Sequence, residues 1–177
     1  MSILHTVEPE QAQGPVADLY QTFERQLGFI PNAFKLGSVS PAMLQQQWEY
    51  IGYYMQHPRL SKLLTTLIRL LVSEKADCDY CVNLNTALLI NEAGLSPDEV
   101  AAIRAEPAKA PLDEKEKALL LFVLEAVADP HAVSAERVQA LREAGCSELE
   151  IHDALNHGAR QIGMDIMLNA FKVENDF

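Results

Sequence analysis

A succession of helix-start signals, each followed by apolar residues at helical spacing, constrains the fold of this chain most strongly. Ser and Asp side chains accept hydrogen bonds from the free N–H groups of a first helical turn, and Pro fits the first helical position. Such signals stand at Ser40-Pro41, Ser61, Ser96-Pro97, Asp113, Ser134 and Ser147. No segment shows sustained alternation of apolar and polar residues, as a half-buried strand would. The sequence therefore predicts an all-α fold.

The boundaries of several helices follow from these signals. A first helix runs through residues 16–23 and ends at Gly28, a residue suited to the left-handed conformation that closes many helices. Residues 29–34 are expected to form an apolar connector, and residues 62–74 a buried helix that is apolar on most sides. The segment at 118–124 is apolar in the same way.

Length and charge limit the class of protein. The 177 residues suffice for one domain with a substantial core, and a single domain over residues 1–177 is expected. No run approaches the roughly 20 apolar residues of a membrane-spanning helix, and the start of the chain lacks the pattern of a signal peptide. A net charge of −11 argues against nucleic acid and anionic membranes as partners. Three cysteines fit a reducing cytoplasm better than a secreted disulfide framework.

The motif Cys78-Asp79-Tyr80-Cys81 joins two apolar helical segments. Asp77 is expected to cap the second helix, so that its dipole and free N–H groups favour thiolate over thiol. Two cysteines at this spacing can also reach one another, and we expect mild oxidation to join them in an intramolecular disulfide. Dithiol redox chemistry is the preferred interpretation, with half of a zinc site and two buried small residues as the alternatives.

Few other residues could complete a metal site or activate the thiols. Zinc usually needs four ligands, and the remaining candidates are Cys146 and scattered histidines; His152 and His157 lie five residues apart, on different faces of a helix. No metal ion or bound cofactor is therefore expected, and Cys146 is expected to pack as a small apolar residue. Glu74, at the end of the preceding apolar helix, is a candidate general base, with a solvated acid at a helix end as the alternative.

The chain resembles the alkylhydroperoxidase D-like branch of the carboxymuconolactone decarboxylase family, in particular its peroxidase-related members. The resemblance covers nearly the whole chain and rests on a C-x-Y-C core in a helical frame with weaker stretches in the right order. The core is residues 78–81, and the weaker stretches are residues 27–32, 129–133, 141–145 and 169–174. It implies an all-helical subunit that forms homo-oligomers, commonly trimers or hexamers, and reduces hydroperoxides through a dithiol–disulfide cycle.

The resemblance also implies roles for individual residues. It makes Cys81 the attacking thiolate and Cys78 the resolving partner. The active pattern has a Glu twelve residues before the first Cys and a His four residues after the second, and these positions hold Thr66 and Asn85 here. Helical spacing suggests that Asn85 lines the same site, but neither side chain handles protons as Glu and His do. General acid–base catalysis contributes typically 10²–10⁴-fold to a rate, so the peroxidase activity is expected to be weaker by roughly that factor.

The function expected from the sequence is thus that of a thiol-dependent hydroperoxide reductase, of peroxiredoxin type, or of a disulfide redox protein. Its partners would be a hydroperoxide or other small molecule, an external dithiol electron donor and further copies of the chain. One alternative is a non-catalytic binding or redox-sensing oligomer on the same fold, and another is a lyase like carboxymuconolactone decarboxylase. The two segments that are apolar nearly all round, 63–72 and 118–124, also favour a homo-oligomer.

Overall fold

A computed structural model describes residues 2–176, and across that range the regular elements are helices, with no strand. The all-α prediction is confirmed. The elements are α1 Pro15–Leu27, α2 Asn32–Gly37, α3 Pro41–Met55, α4 Lys62–Lys75, α5 Asp79–Asn91, α6 Pro97–Ala105, α7 Glu114–Ala128, α8 Ala135–Glu143 and α9 Glu148–Ala170, with 3-10 turns at Pro9–Gln11, Pro107–Lys109 and Pro130–Ala132. None of the described helices combines the length and the apolar character needed to cross a membrane.

The chain forms two compact units. One contains the residues up to Gln56 together with those from Met167 onward, and the other is His57–Ile166. The single domain expected over residues 1–177 therefore stays a prediction. The cysteine pair belongs to the second unit.

An aromatic cluster holds the first unit together. Phe23 of α1 is fully buried, stacks on Phe34 at 4.5 Å between ring centroids and meets Trp48 edge-on at 5.0 Å. Phe34 lies in α2, so the prediction of a connector over residues 29–34 is wrong from Asn32 onward. A six-residue helix is too short to show an apolar period. It is stabilised by the burial of Phe34 and not by intrinsic helix propensity.

Most of the predicted caps are confirmed. The side chains of Ser61, Ser96, Asp113 and Ser134 each accept a hydrogen bond from a backbone N–H of the first turn they precede. At Ser40 the side chain makes no capping bond. These caps begin α4, α6, α7 and α8, and thereby fix the point at which α4 enters the core of the second unit.

Helix α4 lies at the centre of the second unit, where it packs against α5 and α7. The apolar residues of α4 and α7 that suggested an oligomer are mostly buried within the chain itself. They include Leu64, Leu67, Ile68, Leu70, Leu119, Leu120, Phe122 and Val123. The homo-oligomer therefore stays a prediction, and these two helices no longer argue for it.

Gly158 allows α9 to lie close against α7. A Cβ atom at this position would stand 2.5 Å from Val123 Cγ1 and 3.5 Å from Ile68 Cγ2. Val123 is fully buried, and its branched side chain has little rotamer freedom to move away. The close approach brings the polar face of α9 towards α4 and the cysteines.

Gly158→Ala is expected to lower the free energy of unfolding by about 1–2 kcal/mol, because overpacking outweighs the gain in helix propensity. Gly163 lies on the same helix with nothing within 4 Å of an added Cβ, so Gly163→Ala is the matched control. It should raise the free energy of unfolding by up to about 1 kcal/mol. Urea unfolding measures both, and equal effects of the two substitutions would contradict the close packing of α9.

Candidate functional site

The cysteine pair lies at the turn between α4 and α5. Helix α4 ends at Lys75, and the Cys78 N–H donates to Ser73 O at 3.0 Å, which folds the chain back on itself. Asp77 occupies the left-handed region with φ of 50°, and Cys78 is the N-cap residue of α5. The prediction of Asp77 as the cap is therefore wrong by one residue, because the turn needs a left-handed residue there and Asp tolerates that conformation.

The two thiols are close together and shielded from water. Cys78 is 0% exposed and Cys81 4%. Their sulfur atoms and a carboxylate oxygen of Asp165 all lie within 4.8 Å of one another. Both cysteines are free thiols in this structure.

The two thiols of the pair differ in acidity. The S–H of Cys81 donates towards Cys78, which lowers the pKa of Cys78, and the nearby backbone amide of Cys81 acts in the same direction against the effect of burial. The same S–H contact, followed by burial and the negative charge of Asp165, raises the pKa of Cys81. The pair loses its first proton as a coupled unit, and the directions of the two pKa shifts favour Cys78 as the thiolate.

Asp165 enters the site from α9 and is held by two donors. Its Oδ1 accepts hydrogen bonds from Ser73 Oγ and from Gln161 Nε2, both at 2.8 Å. Gln161 Nε2 also lies 3.2 Å from Cys81 Sγ and 3.0 Å from Ser73 Oγ. The other carboxylate oxygen, Oδ2, is buried and makes no hydrogen bond within the described residues. One carboxylate oxygen is thus fixed, while the other is left for a proton or a cation.

Sequence reasoning missed Asp165, Gln161 and Ser73. The signal that could have found two of them is a polar stripe on α9, whose members are spaced by four residues and all buried: Asp153, His157, Gln161 and Asp165. A helix in water places its polar residues outwards, so a buried stripe at this spacing indicates a hydrogen-bonded or reactive face. Here the stripe faces α4, where Ser73 is also fully buried.

Thr66 and Asn85, which stand at the positions of the Glu and His of the active pattern, both accept hydrogen bonds from the Arg69 side chain. Arg69 Nε donates to Asn85 Oδ1 at 2.7 Å, and an Arg69 terminal nitrogen donates to Thr66 Oγ1 at 3.2 Å. Asn85 is buried, and its Nδ2 donates to Cys81 O at 2.7 Å, so it is tied to the helix that carries the thiols. A guanidinium stays protonated, so this arrangement fixes the backbone but cannot pass a proton along.

The acids near the motif lie away from the sulfurs. Glu74 is bound by Arg104, whose Nε and terminal nitrogen stand 3.0 and 2.9 Å from Glu74 Oε1. Asp77 and Asp79 are exposed. The carboxylate that meets the thiols is therefore that of Asp165, which comes from the far end of the sequence.

The third cysteine and the histidines at positions 57, 152 and 157 belong to other parts of the second unit. Cys146 is buried near Lys115 O, at 3.9 Å, and burial raises the pKa of its thiol, as suits a packing residue. His57 lies 3.1 Å from Asp153, and His152 2.7 Å from the same carboxylate. Burial, and after it the charge of Arg69, lowers the pKa of His157 to about 3, so this ring is neutral at neutral pH.

Two solved structures share this arrangement of helices. No protein-family model and no curated protein matches the sequence. The crystal structure of an alkylhydroperoxidase AhpD core, an uncharacterized peroxidase-related protein from Ralstonia eutropha JMP134, superposes with a TM-score of 0.85 at 21% identity, over 99% of this chain and 92% of that one. The chain has the AhpD-like fold.

A second structure agrees with this assignment. It is an uncharacterized peroxidase-related protein from Silicibacter sp. TM1040, with a TM-score of 0.81 at 20% identity, over 97% of this chain and 87% of that one. The fold implied by the resemblance is thereby confirmed. Within this AhpD-like fold the chain combines two buried thiols with a buried carboxylate, and this set can exchange protons, form a disulfide or bind a cation.

Proposed function

We propose that this AhpD-like chain is a dithiol redox protein that reduces hydroperoxides. The observation that carries the proposal is the pair of buried thiols at the start of α5, within 4.8 Å of one another and of Asp165. The names of the two structural neighbours, both peroxidase-related proteins, support it. At this level of identity they bear on the fold, so the chemistry rests on the residues themselves.

The proposed cycle uses both sulfurs and an external donor. A thiolate attacks the terminal oxygen of the hydroperoxide, the O–O bond breaks, and the alkoxide leaves as an alcohol after taking up a proton. The sulfur, now a sulfenic acid, is attacked by the second sulfur; an S–S bond forms and water leaves. An external dithiol then returns two electrons and two protons, so no bound cofactor is needed. Asp165 accepts the proton of the second thiol and passes it to the departing hydroxide, which leaves as water.

The order of attack differs from the one that the resemblance implies. The resemblance makes Cys81 the nucleophile, whereas the contact between the thiols lowers the pKa of Cys78 and raises that of Cys81. Because the thiolate is the reactive form, the proposal assigns the first attack to Cys78 and the resolving role to Cys81. Asn85 and Thr66 position the helices through Arg69 and take no proton, and Glu74 takes no part.

The first test is whether peroxide joins the two thiols. In the reduced, unfolded chain all three cysteines should react with an alkylating reagent; after one equivalent of hydroperoxide, Cys146 alone should react. Mass spectrometry of the intact chain and of peptides gives the count, and Cys146 is the internal control. Addition of a small dithiol should restore all three sites and sustain peroxide consumption. Free Cys78 and Cys81 after peroxide treatment would contradict the proposed function, and turnover of a lactone acid instead would favour the lyase.

A further inference from the structure

We propose that the reduced protein binds a thiophilic divalent cation, with Zn²⁺ as the representative, through Cys78 Sγ, Cys81 Sγ and Asp165 Oδ2. The sequence pointed to half of a zinc site and offered only Cys146 and the histidines to complete it. The structure supplies a different third ligand, a carboxylate 84 residues after Cys81 in the chain. The proposal holds whether or not the protein reduces hydroperoxides.

The three donor atoms lie nearly as close together as the ligands of a tetrahedral ion, so that small side-chain rotations would bring them into place. Zinc binds thiolate sulfur at about 2.3 Å and carboxylate oxygen at about 2.0–2.2 Å, which sets neighbouring donors roughly 3.5–4 Å apart. The two sulfurs and an Asp165 oxygen lie within 4.8 Å of one another. Cys78 and Asp165 are 0% exposed and Cys81 is 4% exposed, so the ion would be shielded from bulk water.

The hydrogen bonds around Asp165 orient it as a ligand. Ser73 Oγ and Gln161 Nε2 both donate to Oδ1, and Oδ2 is buried without a hydrogen bond among the described residues. A buried carboxylate oxygen without a partner is costly, and each such atom calls for a physical explanation. Metal-ligating carboxylates have this arrangement, with one oxygen held by neighbouring donors and the other directed at the ion.

The donor set also indicates the kind of ion. Two thiolates favour zinc and similar soft or borderline cations, whereas magnesium and calcium take oxygen ligands. Three protein ligands leave a fourth position of the tetrahedron for water or for an external thiolate. Sulfurs bound to zinc cannot form a disulfide, so the ion and an oxidant would compete for the same pair.

Titration of the reduced, oxygen-free full chain with Co²⁺ tests the proposal. We expect one ion per chain, with sulfur-to-cobalt charge-transfer absorption and the intense visible bands of a tetrahedral ion, both removed by added Zn²⁺. Replacing a residue that hydrogen-bonds to a metal ligand typically weakens metal binding by roughly 10–100-fold. Because Asp165 is proposed as a ligand itself, Asp165→Asn should weaken binding by at least this much. Glu74→Gln removes a nearby carboxylate that Arg104 binds, and it should leave the affinity unchanged.

A second measurement keeps the outcome decisive. In the wild type, buried thiols react with an alkylating reagent when the folded chain opens transiently. Zn²⁺ should protect Cys78 and Cys81, but not Cys146, from this reaction. The comparison needs no variant and stands if Asp165→Asn fails to fold. Absence of the charge-transfer band overturns the proposal, as does an unchanged affinity in a folded Asp165→Asn variant or one ion shared by two chains. Because no peroxide is present, loss of metal binding and loss of peroxide reduction are separate results.

Discussion

Replacing either Cys78 or Cys81 by Ser is expected to abolish hydroperoxide turnover with a dithiol donor. A serine hydroxyl is neither a thiolate nor able to form a disulfide, so the cycle stops at its first or second bond-forming step. Cys146→Ser is the matched control, since this third buried cysteine lies beside Lys115 and away from the pair. Steady-state peroxide consumption measures all three variants.

The two cysteine variants also determine which sulfur attacks first. If Cys78 is the nucleophile, Cys81→Ser should accumulate a sulfenic acid on Cys78 after peroxide, and Cys78→Ser should form none quickly. A reagent that traps sulfenic acids, followed by mass spectrometry, locates the modified residue. The reverse pattern would restore the order implied by the resemblance and contradict the acidity difference within the pair. Full turnover in either variant would exclude the dithiol cycle altogether.

Thr66→Glu combined with Asn85→His is expected to raise peroxide turnover, by up to roughly 10²–10⁴-fold, because it restores groups that can accept and return protons. Each substitution alone should do less, since members of one proton-transfer network are not additive. Arg69 now bonds to both positions. A glutamate three residues before Arg69 can form an ion pair with it. The gain in peroxide turnover should therefore fall below the upper limit given above.

Cys81→Ser added to the double substitution provides the background for these measurements, since peroxide loss that persists there is not dithiol chemistry. Helical content and unfolding midpoints should be compared with the wild type, because Asn85 is buried and bonded at both ends of its amide. If the wild type turns over peroxide fast and the double substitution adds nothing, then Asp165 already provides the proton handling assigned to the missing relay.

The all-α fold could be predicted because the signals that encode it are local. Ser61 and Asp113 cap the helices that follow them, and Gly28 closes α1 in the left-handed conformation, as the sequence indicates. Helix α2 could not be predicted in this way. Its formation depends on Phe34 meeting Phe23, a contact between segments that no local period reveals.

The site could be predicted only in part, for the same reason. Cys78 and Cys81 are neighbours in sequence, so their spacing alone indicates a reactive pair. Asp165 reaches them only because α9 lies across the second unit, and its approach depends on the missing side chain at Gly158. Conversely, Glu74 is close to the motif in sequence, yet the surface residue Arg104 binds it. Proximity along the chain was therefore a poor guide to the third reactive group.

The side-chain amide of Gln161 has two hydrogens and faces three acceptors: Ser73 Oγ, Cys81 Sγ and Asp165 Oδ1. Only two of these can be satisfied at once, so the hydrogens go to the atoms with the greatest negative charge. A Cys81 sulfur that carries negative charge, as the proposed bound cation requires, would compete well for one of them, whereas a neutral thiol or a disulfide sulfur is a weak acceptor and releases it to the other two. The hydrogen bonds of this amide in the middle of α9 are therefore expected to change with the charge on the Cys81 sulfur.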